Sequence, residues 1–343
     1  MPNSEPNSRE LQSVWQRLLV FLATLAIGWG GLEWGMTKVS NSASVKRERL
    51  QTLAGEIDTL VLGSSETYYG ISAHTLEGIA FNLANTAQSL YYDYELTKRV
   101  LPELPKLSRV LILVDYMSFY MELYDHPDGI RIYQYYQEWG IPLQRARDYV
   151  RPQLVSRVAL YSPHLALEAL MKGFDTSLAT THDTSIATAQ IDDRGWYRVP
   201  DEDRWGLTDK DARGRLAVHH GFMRQEYMPQ NRAVLERLLE MLRQHGVEAV
   251  MLTTPVWHTY QSNMRQEQWQ RTKATVEELA RKHGATYLDF QHEPRLVAAD
   301  FEDADHLNAD GAVRFARILN EKLGAPPVRR RDPAAAHVAV GAL

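Results

Sequence analysis

The stretch IDTLVLGSSETYYGIS, residues 57–72, decides how the rest of the chain is interpreted. Its first half is a short apolar run with β-branched residues, a pattern that predicts a buried strand. Gly63, Ser64 and Ser65 follow, so a hydroxyl stands at the carboxyl end of the strand, where open α/β sheets bind their ligands. A serine at this place is either a reactive nucleophile or the N-cap of the next helix. The rest of the sequence has to distinguish these two roles.

Strand-like and helix-like patterns alternate on both sides of the middle of the chain. Short apolar runs predict strands at 57–65, 79–85, 109–116, 248–255 and 285–290. Apolar residues at helical spacing predict helices at 231–246, 266–284 and 309–323. The clearest strand, RVLILVDY, is nearly continuous Val, Ile and Leu, as in a parallel strand buried on both faces. We therefore predict an α/β fold with a mostly parallel sheet covered by helices on both faces, a three-layer arrangement of the flavodoxin type.

The same patterns predict two halves of one sheet domain separated by a long insertion. The insertion is rich in Tyr and Trp, is helical in part and shows no strand–helix alternation. The predicted segments are a disordered N-terminus (1–14), a transmembrane anchor (15–36), a juxtamembrane linker (37–55), the first half of the sheet domain (56–117), the insertion (118–217), the second half of the sheet domain (218–323) and a disordered tail (324–343).

An apolar run near the N-terminus predicts a membrane anchor. The run LLVFLATLAIGWGGL, residues 18–32, carries no charge, and Trp15, Trp29 and Trp34 lie near its ends, where indole rings favour the headgroup boundary. A spanning helix needs about 20 residues, which this run and its apolar continuation supply. The alternative is a signal peptide cleaved at the small residues 42–44. The run is long for a signal peptide and that site is distant, which favours an uncleaved single-pass anchor.

Charge and site chemistry predict opposite orientations for this anchor. Two arginines precede the apolar run, whereas Lys38, Lys46, Arg47 and Arg49 follow it. By the positive-inside rule, the globular part would lie in the cytoplasm. The chemistry described below favours the other side, and we give it more weight. We expect a protein of the inner (cytoplasmic) membrane with an extracytoplasmic, periplasmic globular domain.

The composition excludes several classes of protein. With 343 residues, 44% of them hydrophobic, the chain is long enough for one large domain or two smaller ones. The formal net charge of −5 and the lack of a nucleic-acid-binding motif give no reason to expect a nucleic acid partner. The sequence contains no cysteine, which excludes disulfides, thiolate metal sites and a cysteine nucleophile.

A carboxylate and a histidine stand just before the last predicted helix, in FEDADHLNADG (301–311). The spacing of Asp303 and His306 lets the carboxylate bond one imidazole nitrogen and leave the other free to face a serine. Asp305 is less well placed and is expected to cap or form a salt bridge. Taken alone, a Gly-Ser-Ser motif is usually a helix cap and an Asp-x-x-His motif a solvated loop. At the two ends of one α/β alternation, however, the motifs together predict a catalytic Ser65 and His306.

These two motifs resemble those of the SGNH hydrolase superfamily. The resemblance implies that Ser65 is the nucleophile, His306 the base and Asp303 its orienting partner, and that the backbone N–H of Ser65 contributes to the oxyanion hole. The stretches LVLGSSETYYGIS, FNLANTAQSLYYDYEL and RVLILVDYMSFY are similar to the membrane-anchored branch that acylates cell-envelope polymers. That branch includes the D-alanyl transfer protein of teichoic acid synthesis and the alginate O-acetyltransferase group. The similarity covers about 57–120 and 248–323.

The chain departs from the family pattern in two blocks. The glycine of the second block is replaced in NLANTAQ, where Ala84 or Asn85 stands. The Gly-x-Asn of the third block is absent, because the strand at 109–116 ends in Asp115 and Tyr116. Asn82 and Asn85 are therefore our candidates for the side-chain donors of the oxyanion hole.

Three further groups of residues allow two interpretations each. Thr254 and Tyr260, after the strand at 248–255, are expected to line the substrate pocket, although the segment would also serve as a plain turn. The pair at 219–220, HH, would suit zinc, but no carboxylate-rich partner is evident, and we predict packing and no metal site. The aromatic stretch 116–139 suits either sugar stacking or a helix core.

The resemblance implies a membrane-anchored O-acyltransferase, most simply an O-acetyltransferase, that modifies an extracytoplasmic cell-envelope polysaccharide through a serine acyl-enzyme. It implies no cofactor. It also implies three partners: a membrane-bound O-acyltransferase protein of the MBOAT type that passes the acyl group across the bilayer, the polysaccharide acceptor, and the lipid bilayer itself. One alternative is a carbohydrate esterase or deacetylase with the same residues, since only the access of water to the acyl-enzyme differs. Another is a non-catalytic assembly protein of an acylation complex, which the missing block residues favour.

Overall fold

The computed structural model describes residues 8–161, 169–171, 173–174, 188–199 and 206–327. The chain divides into two compact units. One unit is drawn from residues 1–40 and 144–181, and the other from residues 41–143 and 182–343. The second unit contains the whole sheet.

Five parallel strands form the sheet, in the order β2-β1-β3-β4-β5. Their bounds are β1 Thr59–Leu62, β2 Ala80–Asn82, β3 Arg109–Leu113, β4 Glu248–Thr253 and β5 Thr286–Asp289. The strand order reverses between β1 and β3, and in such sheets ligands bind outside the carboxyl ends of the strands at this switch point. The prediction of an α/β fold with a parallel sheet is confirmed. Each predicted strand run contains one of the five observed strands.

Helices flank the sheet. Those in the sheet unit are α2 Ser42–Leu53, α3 Ser65–Gly70, α4 Leu90–Val100, α5 Arg131–Trp139, α7 Asp209–Phe222, α8 Met228–Gln244, α9 His258–Asn263, α10 Gln266–His283 and α11 Ala309–Leu323. On one face, Val61, Leu111 and Val250 pack with residues of α11 in a single apolar cluster. On alternate positions, Leu62, Ile112 and Met251 are equally buried, as expected of strands covered on both faces.

The edge strand β2 is covered by the described segment 188–199. The amide of Asn82 donates a hydrogen bond of 2.8 Å to the carbonyl of Arg194. Gly195 has a φ of 79°, and a Cβ at this position would come within 2.3 Å of the carbonyl oxygen of Asn82. Only glycine therefore allows the two backbones to approach so closely, and this approach pairs an edge that would otherwise be open.

The N-terminal apolar segment forms helix α1, Ser8–Met36, in the first unit. From Gln12 to Met36 the helix is long and apolar enough to cross a membrane. The prediction of a disordered segment 1–14 is wrong for residues 8–14, which extend the helix. Residues 1–7 of that prediction lie outside the described residues. The first unit also contains the short helix α6, Arg157–Leu160.

The predicted juxtamembrane linker is largely the helix α2, and this helix belongs to the sheet unit. A capping box formed by Asn41 and Ser44 starts the helix. Lys46 is 1% exposed, and its ammonium group donates hydrogen bonds to the carbonyls of Asn82 and Ala84 at the end of β2. This segment is therefore a structural helix of the domain. A sequence window cannot show this, because the partners of Lys46 lie on a distant strand.

The predicted disordered tail begins with ordered residues. Arg109, at the start of β3, donates hydrogen bonds of 2.9 Å to the carbonyl of Gly324 and 3.1 Å to that of Leu323. These bonds hold the chain that leaves α11 against the sheet. Residues 328–343 of the predicted tail lie outside the described residues.

The aromatic stretch that follows β3 is mostly core. Phe119, Tyr120 and Tyr135 are at most 1% exposed. Tyr135 stacks on Tyr92 of α4 with a centroid separation of 4.3 Å. Of the two interpretations of this stretch, packing is the one that the buried rings support, since a sugar platform needs exposed ring faces.

Candidate functional site

Three side chains predicted for catalysis lie in one hydrogen-bonded chain. The Oγ of Ser65 lies 2.8 Å from Nε2 of His306, although 241 positions separate the two residues. The Nδ1 of His306 lies 2.9 Å from Oδ2 and 3.0 Å from Oδ1 of Asp303. Ser65 is 8% exposed and His306 4%. This is the serine, imidazole and carboxylate order in which a base activates a nucleophile and a third group orients the base.

The turn after β1 presents Ser65 because of its glycine. Gly63 has a φ of 125°, and a Cβ there would come within 2.4 Å of the Cβ of Leu113 and 2.7 Å of the Oγ1 of Thr67. Its amide donates a 3.0 Å hydrogen bond to the carboxylate of Asp93. The N-cap position of α3 is Ser64, whose side chain makes no cap hydrogen bond. Ser65 is the first residue inside the helix, so its hydroxyl is not used as a cap.

The loop before α11 holds the histidine and its carboxylate as one piece. The Oδ1 of Asp303 accepts hydrogen bonds from the amides of Asp305, at 2.9 Å, and His306, at 2.8 Å. A bridge between Phe301 and Leu307 closes the loop. The Oδ1 of Asn308 then caps α11 by accepting from the amide of Gly311. The spacing of Asp303 and His306 is therefore fixed by the backbone as well as by the ion pair.

Two carboxylates keep His306 protonated at neutral pH. Burial lowers the pKa of His306, but the charges of Asp303 and Asp305 outweigh burial and raise the pKa to about 9. The Oδ2 of Asp305 lies 3.8 Å from Nε2 of His306. A protonated imidazole cannot take the proton of Ser65, so the free site is most reactive on the alkaline side of this pKa.

Arg215 of α7 is a further charged neighbour of the imidazole. Its Nε donates a 2.8 Å hydrogen bond to Asp305 and lies 3.7 Å from Asp303. One of its terminal nitrogens lies 3.4 Å from each ring nitrogen of His306. Burial opposes ionisation of Asp305, but the charges of Arg215 and His306 prevail and lower the pKa of Asp305. The expected salt bridge of Asp305 is thus made to Arg215, a residue that the sequence analysis did not select.

A buried pair of carboxyl groups lies on the other side of the serine. The Oε2 of Glu66 bonds the hydroxyl of Ser64 and lies 3.4 Å from the Oγ of Ser65. Burial and the charge of Asp115 raise the pKa of Glu66 to about 8. Asp115 is also hydrogen-bonded to Glu66, while its Oδ1 accepts from the amides of Met117 and Ser118. At neutral pH Glu66 therefore carries the proton of the pair.

No role was predicted for Glu66 and Asp115, although their positions after adjacent parallel strands indicate one. Asp115 follows β3, the strand that pairs with β1, and Glu66 directly follows Ser65. Polar residues that follow adjacent parallel strands lie at the same sheet edge. In the sequence, Asp115 was noted only because it stands where the family has its Gly-x-Asn motif.

Thr254 and Tyr260, predicted to line the substrate pocket, line a much smaller cavity. Together with Glu66, Asp115 and Asp305 they line an internal cavity of about 20 Å³. That volume is enough for one water molecule and too small for a substrate. Both residues are 2% exposed. We therefore assign them to the wall of this cavity, and they do not form the opening through which a substrate would enter.

A larger depression adjoins the loop that carries Asp303. It has a volume of about 490 Å³ and is lined by Gly206, Lys210, Asp211, Gly214, Arg215, Val218, Asp303 and Ala304. Asp303 borders both this depression and His306. The volume lies in the range of small-molecule sites.

The predicted oxyanion role of Asn82 and Asn85 needs correction. The Nδ2 of Asn82 donates both of its hydrogens, to the carbonyls of Thr67 and Ile71, and so braces α3. The Nδ2 of Asn85 donates to the Oγ of Ser42, at 2.8 Å. These amides hold the framework around the site, because the end of β2 must anchor both α2 and α3. The amide of Asn82 therefore has no hydrogen left for an oxyanion, and that of Asn85 gives a hydrogen to Ser42 of α2.

The histidine pair of α7 is held by tyrosines. The Nδ1 of His219 lies 2.7 Å from the hydroxyl of Tyr260, and Nε2 of His220 lies 2.9 Å from that of Tyr116. Burial lowers the pKa of His219, so this ring is neutral. The pairing supports the packing interpretation of 219–220.

One group of buried residues has the donor types of a metal site. Ligand atoms of Glu66, Asp305 and His306 lie within 4.8 Å of one another. All three are already engaged: His306 with Ser65, Asp305 with Arg215 and Glu66 with Ser64. A metal ion would have to displace these partners, so the contacts describe a serine site better than a metal centre.

Comparisons with known proteins assign no family to the chain. No family model and no curated protein matches the chain. Among solved structures, the chain is similar to an acetyl xylan esterase, Axe2, from Geobacillus stearothermophilus, and to a substitution variant of it. Each match has 12% identity and a TM-score of 0.33, and covers 81% of this chain and 99% of the esterase. At these values the likeness carries no argument about activity.

Proposed function

We propose that the chain is an SGNH-type serine esterase that removes acyl groups from hydroxyls of a carbohydrate. The observation that carries this proposal is the chain of contacts from Ser65 through His306 to Asp303, with 2.8 Å and 2.9 Å separations. The resemblance of the motifs to the alginate O-acetyltransferase group favours a carbohydrate and a short acyl group such as acetyl.

In the first half-reaction, neutral His306 takes the proton of Ser65 while Oγ forms a bond to the ester carbonyl carbon. The carbonyl π electrons move to the oxygen, which becomes the oxyanion. When the tetrahedral intermediate collapses, the bond to the leaving alcohol breaks and the imidazolium of His306 gives its proton to that alcohol. The product is an ester of Ser65 and a free sugar hydroxyl. Asp303 stabilises the imidazolium and fixes the tautomer that has its proton on Nδ1.

The oxyanion needs donors close to Ser65. The first N–H groups of a helix have no partner within the helix, and Ser65 and Glu66 are the first two residues of α3. The amide of Ser65, which the family resemblance also implies, is therefore our proposed donor. Below its pKa of about 8, Glu66 carries a proton and adds no negative charge beside the forming oxyanion.

In the second half-reaction, water attacks the acyl-enzyme, with His306 again as the base, and releases the acid. If a second sugar hydroxyl attacks instead, the same residues transfer the acyl group. Helix α1 favours this second candidate, an O-acyltransferase of an envelope polysaccharide, because a membrane anchor would keep the site near a donor delivered at the bilayer. In that case the donor protein would be a membrane-bound O-acyltransferase.

The test has two steps. A fluorophosphonate probe should label the full-length protein in detergent, and Ser65→Ala should abolish the labelling, whereas Ser72→Ala should keep it. Labelling that persists in Ser65→Ala would exclude Ser65 as the nucleophile, and no labelling of the wild type would favour a non-catalytic assembly role.

Products from an acetylated oligosaccharide are then compared with and without an excess of unacylated acceptor. Free acetate alone identifies an esterase, and acceptor acetylation identifies a transferase.

A further inference from the structure

The first unit carries exposed apolar side chains outside the anchor helix. Val150 and Val155 are each 84% exposed. Two exposed arginines lie near them in the sequence: Arg151 directly follows Val150, and Arg147 lies three residues before it. Single exposed apolar residues are common in soluble proteins, so exposure by itself assigns no role to them. Their position relative to α1, however, does indicate a role.

Glu33, in the last turns of α1, holds this segment. Its carboxylate accepts hydrogen bonds from the hydroxyl of Ser156 and, at 2.8 Å, from the amide of Arg157. A second contact lies two residues further along α1, where the ring of Phe174 packs against Gly35. The two are so close that a Cβ added to Gly35 would come within 2.2 Å of the ring. Val155 directly precedes Ser156 in the chain. The exposed valine is therefore fixed at the depth of Glu33.

The depth of Glu33 follows from the tryptophans of α1. Trp15 and Trp34 mark the two ends of the apolar segment. At about 1.5 Å per residue, they are separated by about 28 Å along the helix, close to the roughly 30 Å thickness of a hydrocarbon core. The ammonium group of Lys38 lies 3.8 Å from the ring centre of Trp34. An indole paired with a lysine is typical of the headgroup boundary, so Glu33 stands at that boundary as well.

We propose that residues 149–155 rest on the surface of the bilayer that α1 crosses. Val150 and Val155 lie among the upper acyl carbons, and Arg147 and Arg151 face the lipid headgroups. Apolar residues combined with arginines are characteristic of interfacial segments, and the arginines favour anionic lipids. The occupant is lipid because the contacts of Glu33 leave Val155 at the membrane boundary, and exposed Val150 lies five residues before it in the chain. The inference depends on α1 crossing a membrane and is independent of the ester chemistry.

The chain contains no cysteine, so single cysteines can be labelled without background. Four matched valine variants suffice: Val150→Cys, Val155→Cys, Val20→Cys in the middle part of α1 and Val297→Cys in the sheet unit. Val20 and Val297 are 66% and 51% exposed, so all four sites accept a label. Each full-length variant is labelled with the NBD fluorophore and reconstituted in vesicles of phosphatidylcholine and phosphatidylglycerol. Quenching is measured with nitroxide on the lipid headgroup, nitroxide on the acyl chain, and aqueous iodide.

We expect headgroup nitroxide to quench the labels at 150 and 155 strongly, acyl-chain nitroxide to quench the label at 20, and only iodide to quench the label at 297. If iodide alone quenches 150 and 155, the segment faces water and the proposal fails. If no quencher reaches these labels, protein covers the segment and the proposal fails again. In both cases the label at 20 shows separately whether α1 crosses the bilayer. The ester chemistry is tested independently by fluorophosphonate labelling.

Discussion

Replacement of Asp305 by Asn should increase activity at neutral pH. Asp305 is not hydrogen-bonded to the imidazole of His306, but its Oδ2 lies 3.8 Å from Nε2, and its charge helps to raise the pKa of His306 to about 9. At that distance and an effective dielectric constant of about 20, the attraction is roughly 4 kcal/mol. Arg215, the partner of Asp305, keeps its positive charge in the variant and continues to disfavour the imidazolium. Since solvent and the rest of the site screen part of the attraction, we expect the pKa of His306 to fall by at least about one unit, or about 1.4 kcal/mol.

The assay is the pH dependence of kcat/KM for p-nitrophenyl acetate. A site that requires neutral His306 gains about tenfold per pH unit below its pKa, so the wild type should rise steadily from pH 6 to about 9. The Asp305→Asn variant should reach its plateau about one unit lower and be about tenfold more active at pH 7. Asp303→Asn is the control, because it removes the orienting bond and should lose activity on the order of 10⁴-fold. An unchanged acid limb in Asp305→Asn would refute the electrostatic argument.

Three further changes test the framework of the site. Glu66→Gln should flatten the dependence of stability on pH. Because the folded pKa of Glu66 of about 8 lies above the ordinary 4.5, its contribution to the unfolding free energy, roughly 3–5 kcal/mol, is fully present below pH 4.5 and is lost as pH rises through 8. Urea unfolding at each pH measures this loss, which should be missing in the variant. Gly63→Ala should lower the unfolding free energy by about 3 kcal/mol in the same assay, because the added Cβ would clash with Leu113. Gly214→Ala is the control: its Cβ would meet open space in a helix, and the unfolding free energy should rise by about 0.5–1 kcal/mol. Equal effects of the two changes would contradict the turn geometry. Asn82→Ala should lower the unfolding free energy by about 1–3 kcal/mol, because its hydrogen bonds to Thr67 and Ile71 are lost. The kcat per folded molecule should remain unchanged. A large loss of kcat without a loss of stability would instead indicate that Asn82 is an oxyanion donor.

The sequence was sufficient for the fold because strand and helix periodicities are local. Each of the five observed strands lies within a predicted run. The glycine and the hydroxyls after β1 indicated the edge of the sheet at which Ser65 meets His306. The spacing of Asp303 and His306 is also local, since one loop holds both residues. Local patterns of this kind can be identified without knowledge of the rest of the molecule.

The residues that the sequence analysis missed depend on contacts between distant segments. Arg215 lies on α7, and nothing in that helix indicates that it meets Asp305, 90 positions later. Lys46 is similar, because a charged residue in a polar helix is normally solvated, yet here it is buried against the end of β2. Asn82 and Asn85 were assigned wrongly for the same reason. Their neighbourhood was predicted, but the partners of their amides were not.

The separation of Ser65 and His306 by 241 positions also affects biosynthesis. At roughly 5–20 residues per second, a ribosome needs about 10–50 s to reach the histidine after it has made the serine. During that interval the hydroxyl of Ser65 lacks the imidazole of His306, which activates it in the proposed mechanism. On that mechanism, chains released before the loop at 301–308 has been made would be inert toward esters. The proposed reactive centre is thus completed only when translation of the last strand and loop is finished.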